Sequence, residues 1–179
     1  RGCAVVEPGC GRTACGEEGQ GRLADLREIY LAGLRALAPQ DMEGIRIMVT
    51  LGPTREHWDG LRFWTNPSTG TMGAAVAVAA WLRGARVEAV CGPGTPWLPA
   101  GIARHMLEAA ASVWPQCDAG VFTAAVADFS PVPPAQGGDK KFKKSDAPDG
   151  FDVHFAPNPD ILKTLAADRR PDQKVVGFA

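Results

Sequence analysis

Met48 to Gly73, MVTLGPTREHWDGLRFWTNPSTGTMG, is the stretch on which the reading of this chain turns. It predicts an apolar strand, a polar loop, and a glycine-marked entry into an apolar helix. Ile45, Ile47 and Val49 are β-favouring residues at its head, and Gly52-Pro53-Thr54 stops the strand abruptly. Past the loop, Ser68, Thr69, Gly70 and Gly73 bring hydroxyls and permissive backbone to a helix start, and Ala74 to Leu82 supplies a small-residue helical face. A strand that ends in a loop leading to a helix N-terminus is an anion site, because unpaired N–H groups and the positive end of the helix dipole face the loop. The predicted phosphate and acyl loop is Gly52, Thr54, Arg55, Arg62, Ser68, Gly70 and Gly73. Glycine spacing alone does not separate this from an ordinary βαβ connection with no ligand. The crowd of polar residues does favour a site: Thr54, Arg55, Glu56, Asp59, Arg62, Thr65 and Asn66 make the loop longer and more polar than a plain connection needs.

Outward from this stretch the pattern alternates. Leu23 to Leu37 carries apolar residues at helical spacing and Pro39 stops it. A strand over 45–50, a helix over 70–83 and a strand over 86–91 form a βαβ unit, which predicts an α/β chain with a largely parallel sheet in a Rossmann-like three-layer fold. Beyond Gly92-Pro93 a proline-rich loop leads to a helix over Arg104 to Trp114, then a buried strand from Ala119 to Val126 ends at Ala127-Asp128. Pro131 to Gly150 combines PVPPAQGGD with Lys140, Lys141, Lys143 and Lys144 and lacks apolar periodicity, so it reads as a mobile flap over the sheet edge. A short strand near Val153, a helix from Pro159 to Ala167 and a strand from Lys174 to Phe178 complete the pattern. The glycine-rich segment up to Gly21 is non-periodic and reads as the tail of something else.

Composition bounds the function. At 179 residues, 45% hydrophobic and 22% charged, the chain can bury one principal core. Net charge is −1 with dispersed basic residues, which argues against nucleic acid and membrane surfaces as partners. Five cysteines, Cys3, Cys10, Cys15, Cys91 and Cys117, form no paired framework and fit a reducing, cytoplasmic setting; their spacing is not that of a zinc site, and no metal held by protein side chains is expected. The cofactor question turns on the glycine loop. It does not spell G-x-G-x-x-G, and the strand over 86–91 ends in Cys91-Gly92-Pro93 where a ribose-binding carboxylate would stand, so a mononucleotide or phosphorylated acid fits better than a nicotinamide dinucleotide. The lysine run fits a triphosphate on which several ammonium groups close; a solvated charge cluster is its plainer reading.

Seven ordered segments carry a family resemblance: GPTRE (52–56), RFWTN (62–66), STGTMG (68–73), AAVADF (124–129), KFKK (141–144), NPDIL (158–162) and VVGFA (175–179). Together they resemble the phosphopantothenate-cysteine ligase half of the bacterial bifunctional coenzyme A enzyme, over residue 45 onward. GRTACGEEGQGR (11–22) is similar to the closing motif of the phosphopantothenoylcysteine decarboxylase half that precedes it. The implied organisation is a decarboxylase tail over 1–22, a linker helix over 23–44, and a ligase domain over 45–179 that the family continues with a further helix and strand. The implied reaction joins 4'-phosphopantothenate to cysteine at the expense of CTP through an acyl-cytidylate, with magnesium, in a homodimer; FMN belongs to the upstream decarboxylase and is not expected on this chain.

Carried over by motif, Asn66 falls on the asparagine that holds the acyl-cytidylate, and Lys141 on the lysine that contacts the nucleotide phosphates. Phe122, Thr123, Ala124, Asp128, Pro159, Asp160, Ile161, Leu162 and Phe178 fall on CTP-binding positions, and Cys15 on the decarboxylase's proton-donating cysteine. Without the family, Asp128 reads as a strand-end cap, Phe178 as a core aromatic and Cys15 as an idle thiol. Two departures stand out: Thr71 occupies a position where the family usually has lysine, and several residues are missing between His105 and Met106, where the family forms a short strand and the start of a helix. His57, His105 and His154 have no family role and are expected at the surface or in loops. Trp58, Phe63 and Trp64 suit either a subunit interface or packing under the loop. Two other functions compete with the ligase: a nicotinamide-dependent short-chain reductase, disfavoured by the absence of a Tyr-x-x-x-Lys pair, and a non-catalytic nucleotide-binding dimerisation module.

Overall fold

A computed structural model describes residues 3–106, 109–134 and 138–178. Its centre is a five-stranded, wholly parallel sheet made of β3 (Arg46–Leu51), β6 (Arg86–Cys91), β7 (Ala103–Met106), β8 (Ala119–Phe122) and β11 (Lys174–Gly177). Their spatial order is β11-β8-β3-β6-β7, which is the Rossmann arrangement with β3, the sheet's first strand, at its middle. β3 is nearly continuous in apolar residues because it is covered on both faces. Ile47, Val49 and Leu51 point to one layer with Val87 and Ala89, where the small-residue helix α2 (Thr71–Leu82) lies on them through Ala74, Ala77 and Ala80. Met48 and Val90 point to the other, packing with Trp114, Val113 and Phe122 and with Leu165 of α4 (Ile161–Ala167). The expected three-layer α/β fold is the fold observed.

The small side chains of α2 are what let it sit so close to the sheet. A Cβ on Gly73 would overlap Thr123 Oγ1 and lie 2.5 Å from Leu51 Cβ. Outside α2 runs α1 (Leu26–Leu37), capped by the Asp25 carboxylate, which accepts from the Arg27 N–H. Arg35 of α1 lies over the Trp81 ring and donates to the Trp81 carbonyl. The N-terminal segment forms a two-stranded hairpin, β1 (Gly9–Arg12) with β2 (Glu18–Arg22), paired only with itself. Two further antiparallel pairs lie outside the sheet: β4 (Glu56–His57) with β5 (Phe63–Trp64), and β9 (Phe129–Pro131) with β10 (Phe155–Pro157), strands joined by a long segment. Among the described residues no helix is long and apolar enough to cross a membrane.

Four expectations are corrected. The helix over Arg104 to Trp114 is replaced by strand β7 followed, beyond residues outside the description, by one turn of helix, α3 (Ala110–Val113), and a 3-10 turn over Trp114–Gln116. ARHM lacks alternation because only one of its neighbours, β6, pairs with it and fixes it as an edge. His105 is therefore a half-buried strand residue and not a loop residue; its Nε2 lies 2.7 Å from a Glu88 carboxylate oxygen. β8 stops at Phe122 and not at Val126, because beyond Phe122 the chain no longer lies against β11 and instead continues along β3's loop. The lysine-bearing segment is not a flap over the sheet edge: Phe142 is packed against Trp58 and Phe151, on the β4–β5 hairpin.

Candidate functional site

The strand order reverses at β3, so β8 and β6 carry the chain away in opposite directions and leave a crevice beyond the carboxyl ends of β3 and β8. The residues after β8 build one wall of it by zipping onto the residues after β3. Thr123 N–H donates to the Thr50 carbonyl at 3.1 Å, Ala125 N–H to that of Gly52 at 2.9 Å, and Thr54 N–H to that of Ala125 at 3.3 Å. The Thr54 hydroxyl then accepts from Ala127 N–H at 3.0 Å. This needs a backbone turn at Gly52, whose φ of 86° is left-handed, and a Cβ there would lie 2.8 Å from Thr95.

The opposite wall comes from the residues that follow β10 and from the start of α4. Asn158 is fixed on both sides of its amide, donating to the Ala127 carbonyl at 2.8 Å and accepting from the Ser130 hydroxyl at 2.6 Å. Its backbone N–H donates to the Asp128 carbonyl at 2.8 Å, so the two walls are tied across the crevice rim. Asp160 caps α4, accepting from Lys163 N–H at 2.8 Å. Phe122 forms the floor and stands edge-on to Trp114, which is held by its indole N–H donating to the Leu165 carbonyl at 2.9 Å.

The result is a cavity of about 500 Å³, lined by Thr50, Phe122, Ala124 to Asp128, Asn158 to Leu162 and Phe178. A space of that size with an apolar floor and a rim of backbone groups and two carboxylates suits a planar, polar-edged ligand. Eight of the sequence-derived nucleotide positions line it: Phe122, Ala124, Asp128, Pro159, Asp160, Ile161, Leu162 and Phe178. Thr123 does not; its hydroxyl donates to the Thr50 carbonyl at 2.6 Å, on the α2 side. Lys141 is exposed and is not in the lining. Cys15 is exposed in the turn of the N-terminal hairpin, with Thr13 Oγ1 at 3.3 Å.

The loop after β3 is divided in its employment. Asn66 reaches the crevice wall, donating to the carbonyls of Ala125 at 3.4 Å and Val126 at 3.2 Å, both long contacts. Thr65 donates to the Thr54 carbonyl at 2.6 Å. Ser68 accepts from Gly70 N–H at 3.3 Å, and Thr71 opens α2 with its hydroxyl 2.7 Å from that of Thr69. Arg55 lies over the Phe63 ring, 4.6 Å from its centroid. Arg62 is bound to Asp59 at 2.6 Å and to the Phe142 carbonyl at 3.1 Å. Gly52 and Gly73 serve close backbone approach in the geometry above. Of the aromatic cluster, Trp58 is buried and stacked on Phe151, whereas Phe63 and Trp64 are 38% and 41% exposed.

Sequence reasoning passed over Thr50, Ala125, Val126, Ala127 and Asn158 as lining residues. The last four stand inside the motifs AAVADF and NPDIL, so motif membership was the available signal; Thr50 is a buried hydroxyl at a strand end, with no signal of its own. Among the described residues no group of three or more His, Cys, Asp or Glu side chains is disposed to hold a metal ion.

Sheet order and crevice together define a Rossmann-type α/β protein with a cavity at the topological switch point. Its family follows from comparison: the chain belongs to the DNA/pantothenate metabolism flavoprotein C-terminal domain family, whose pattern matches residues 42–179. It is 39% identical to the coenzyme A biosynthesis bifunctional protein CoaBC of Bacillus subtilis, across 99% of this chain and 45% of that protein. Against the protein of the same name from Escherichia coli it is 36% identical, across 100% of this chain and 46% of the relative. The chain thus spans about half the length of these relatives. Among solved structures, the C-terminal domain of CoaBC superposes with a TM-score of 0.61 at 34% identity, covering 77% of this chain and 65% of that one. A Cab2 mutant in complex with phosphopantothenate-cysteine shares the fold, with a TM-score of 0.59 at 16% identity over 83% of this chain and 66% of that one.

Proposed function

We propose that this chain carries a phosphopantothenate-cysteine ligase site that uses CTP, within coenzyme A biosynthesis and in a polypeptide that also bears a decarboxylase. The observation that carries the proposal is the convergence of Phe122, Ala124, Asp128, Pro159 to Leu162 and Phe178 on one crevice at the switch point of the sheet, in a chain similar over its whole length to CoaBC proteins.

In this reading the cytidine base lies against Phe122 and Leu162, with Asp128 accepting from a donor group of the nucleoside. A carboxylate oxygen of 4'-phosphopantothenate attacks the α-phosphorus, the bond to the bridging oxygen breaks, and pyrophosphate leaves. The neutral amine of cysteine then attacks the acyl carbon of the acyl-cytidylate, CMP departs with the bonding pair, and the nitrogen loses a proton to solvent. The protein's share is positioning and charge neutralisation. Asn66 suits the acyl-cytidylate because its amide hydrogens are held only by two long bonds to crevice-wall carbonyls, which a carbonyl or phosphate oxygen can replace. Lys141 serves the triphosphate from outside the lining. A magnesium cage of protein side chains does not fit the described residues, whereas an ion carried by the triphosphate needs none; when bound, it supplies further neutralisation of phosphate charge. In this reading Phe63 and Trp64, both partly exposed in the loop after β3, supply aromatic surface to the homodimer contact.

The test is pyrophosphate release by the native full-length protein with phosphopantothenate, magnesium and CTP, before and after adding cysteine. Release that requires the acid and CTP, followed by cysteine-dependent CMP, is expected. Absence of release with CTP or ATP, together with stabilisation by CTP in a thermal-shift assay, would leave a nucleotide-binding dimerisation module; stabilisation by NADPH alone would point to a reductase.

A further inference from the structure

Asp59 is 1% exposed and yet carries a charge. Burial would push its carboxyl up, but the N–H groups of Leu61, Phe142 and Arg62 and the Arg62 guanidinium outweigh burial and hold it at about 2. Three of its contacts are local: Leu61 N–H at 2.8 Å, Arg62 N–H at 2.6 Å and the Arg62 guanidinium at 2.6 Å. The fourth is not. Phe142 N–H donates to Asp59 Oδ2 at 3.0 Å across 83 positions of sequence, and Arg62 returns to the Phe142 carbonyl at 3.1 Å. Both backbone groups of Phe142 are thus clamped by one ion pair.

The clamp is packed as well as bonded. The Phe142 ring lies 5.2 Å from Trp58 and 4.9 Å from Phe151, which are themselves stacked at 5.0 Å. Backbone also meets backbone, since a Cβ on Gly60 would lie 2.5 Å from the Asp139 carbonyl oxygen. Phe142 stands between Lys141 and Lys143, in a segment whose two ends, β9 and β10, begin and finish beside the crevice residues Asp128 and Asn158.

We propose that Asp59 is a positioning residue: through the backbone of Phe142 it sets where the lysines at 140–144 stand relative to the crevice, and so governs triphosphate binding. It touches no reacting atom and acts only through the segment it holds. The proposal rests on the ligase reading for the identity of the anion and on the geometry above for the clamp.

The test uses the native full-length protein and two readouts. Limited trypsin digestion reports release of the lysine run, and the KM for CTP against kcat reports its positioning. Asp59→Asn keeps the shape and removes the charge. It is expected to speed cleavage after Lys140 to Lys144 about tenfold and to raise the KM for CTP about tenfold with a smaller change in kcat. Phe142→Ala, which leaves Asp59 intact, should do the same and stands in if Asp59→Asn does not fold. Unchanged cleavage in both variants would overturn the clamp. Faster cleavage with an unchanged KM for CTP would overturn the positioning role. If the unmutated protein releases no pyrophosphate from CTP, the ligase reading and the nucleotide role of Asp59 fall together, while the clamp is still decided by the digestion.

Discussion

The two ends of β3 are built on opposite plans. At the amino end, charges are driven inward and saturate each other: Arg46 donates to Glu88 at 2.8 Å and to Gln116 at 2.8 Å, its N–H meets Asp118 at 2.7 Å, and His105 closes on the other oxygen of Glu88 at 2.7 Å. At the carboxyl end short bonds that fix the walls, such as that of the Thr123 hydroxyl to the Thr50 carbonyl at 2.6 Å, stand beside long ones. Ala124 N–H reaches Thr50 Oγ1 at 3.3 Å, Asn66 reaches two carbonyls at 3.2 and 3.4 Å, and a cavity opens beside them. Short, complete networks hold a fold but offer a ligand nothing. Long, exchangeable contacts at the rim of a cavity stabilise the protein little and leave their donors available. A buried carboxylate surrounded by its partners thus marks structure at the amino end, whereas the carboxyl end keeps the loosely held Asn66 amide beside an open cavity.

That contrast breaks most readily at Glu88. Glu88→Ala leaves Arg46 and His105 without the carboxylate they surround and is expected to cost on the order of 3 kcal/mol in denaturant unfolding, as for other broken buried pairs. A cost near zero would show that the network is not structural. Gly73→Ala comes next: overlap with Thr123 and contact with Leu51 should cost about 1–3 kcal/mol, offset in part by better helix propensity. Trp114→Phe removes the bond to the Leu165 carbonyl under the crevice floor and should cost about 1–2 kcal/mol.

Acid sharpens the comparison further. Burial opposes the charge on Glu88, but hydrogen bonds from His105 and Arg46 outweigh it and hold the carboxyl below its usual value of 4.5. The contribution to stability is therefore complete above 4.5 and is lost as pH falls through the lowered value. The Asp59 contribution behaves alike, complete above 3.8 and lost as pH approaches about 2. Urea midpoints of the unmutated protein should drop steeply over this range, and those of Glu88→Gln should drop less. The smallest expected effect lies at the carboxyl end, where Asn66→Asp should change unfolding free energy by under about 0.5 kcal/mol, because only two long bonds are altered, yet abolish cysteine-dependent CMP formation.

Much of this plan is legible before any coordinates. β3, α2 and β6 are written as a β-branched run, an alanine-rich helix and RVEAVC, and local preference agrees there with tertiary placement. The edge strand β7 is not legible, since ARHM has neither alternation nor β-branched residues and depends on β6 for its conformation. Glu88 passes unnoticed inside RVEAVC because its partners lie 42 and 17 positions away. Asp59 reads as one polar loop residue among several, and only the fold brings Phe142 to it. The crevice residues were accessible through short motifs. The burial of Trp58 beside the exposure of Trp64 was not, because two aromatics in one loop carry the same pattern.

The central claim is that the cavity beyond β3 and β8 is the nucleotide site. The direct measurement is a titration of the isotopically labelled 179-residue chain with CTP and magnesium, followed by backbone amide chemical shifts. Shifts concentrated at 122–128, 158–162 and 178, with the Glu88 network unmoved, are the predicted result. Saturable shifts that centre on another surface and spare those residues would contradict it.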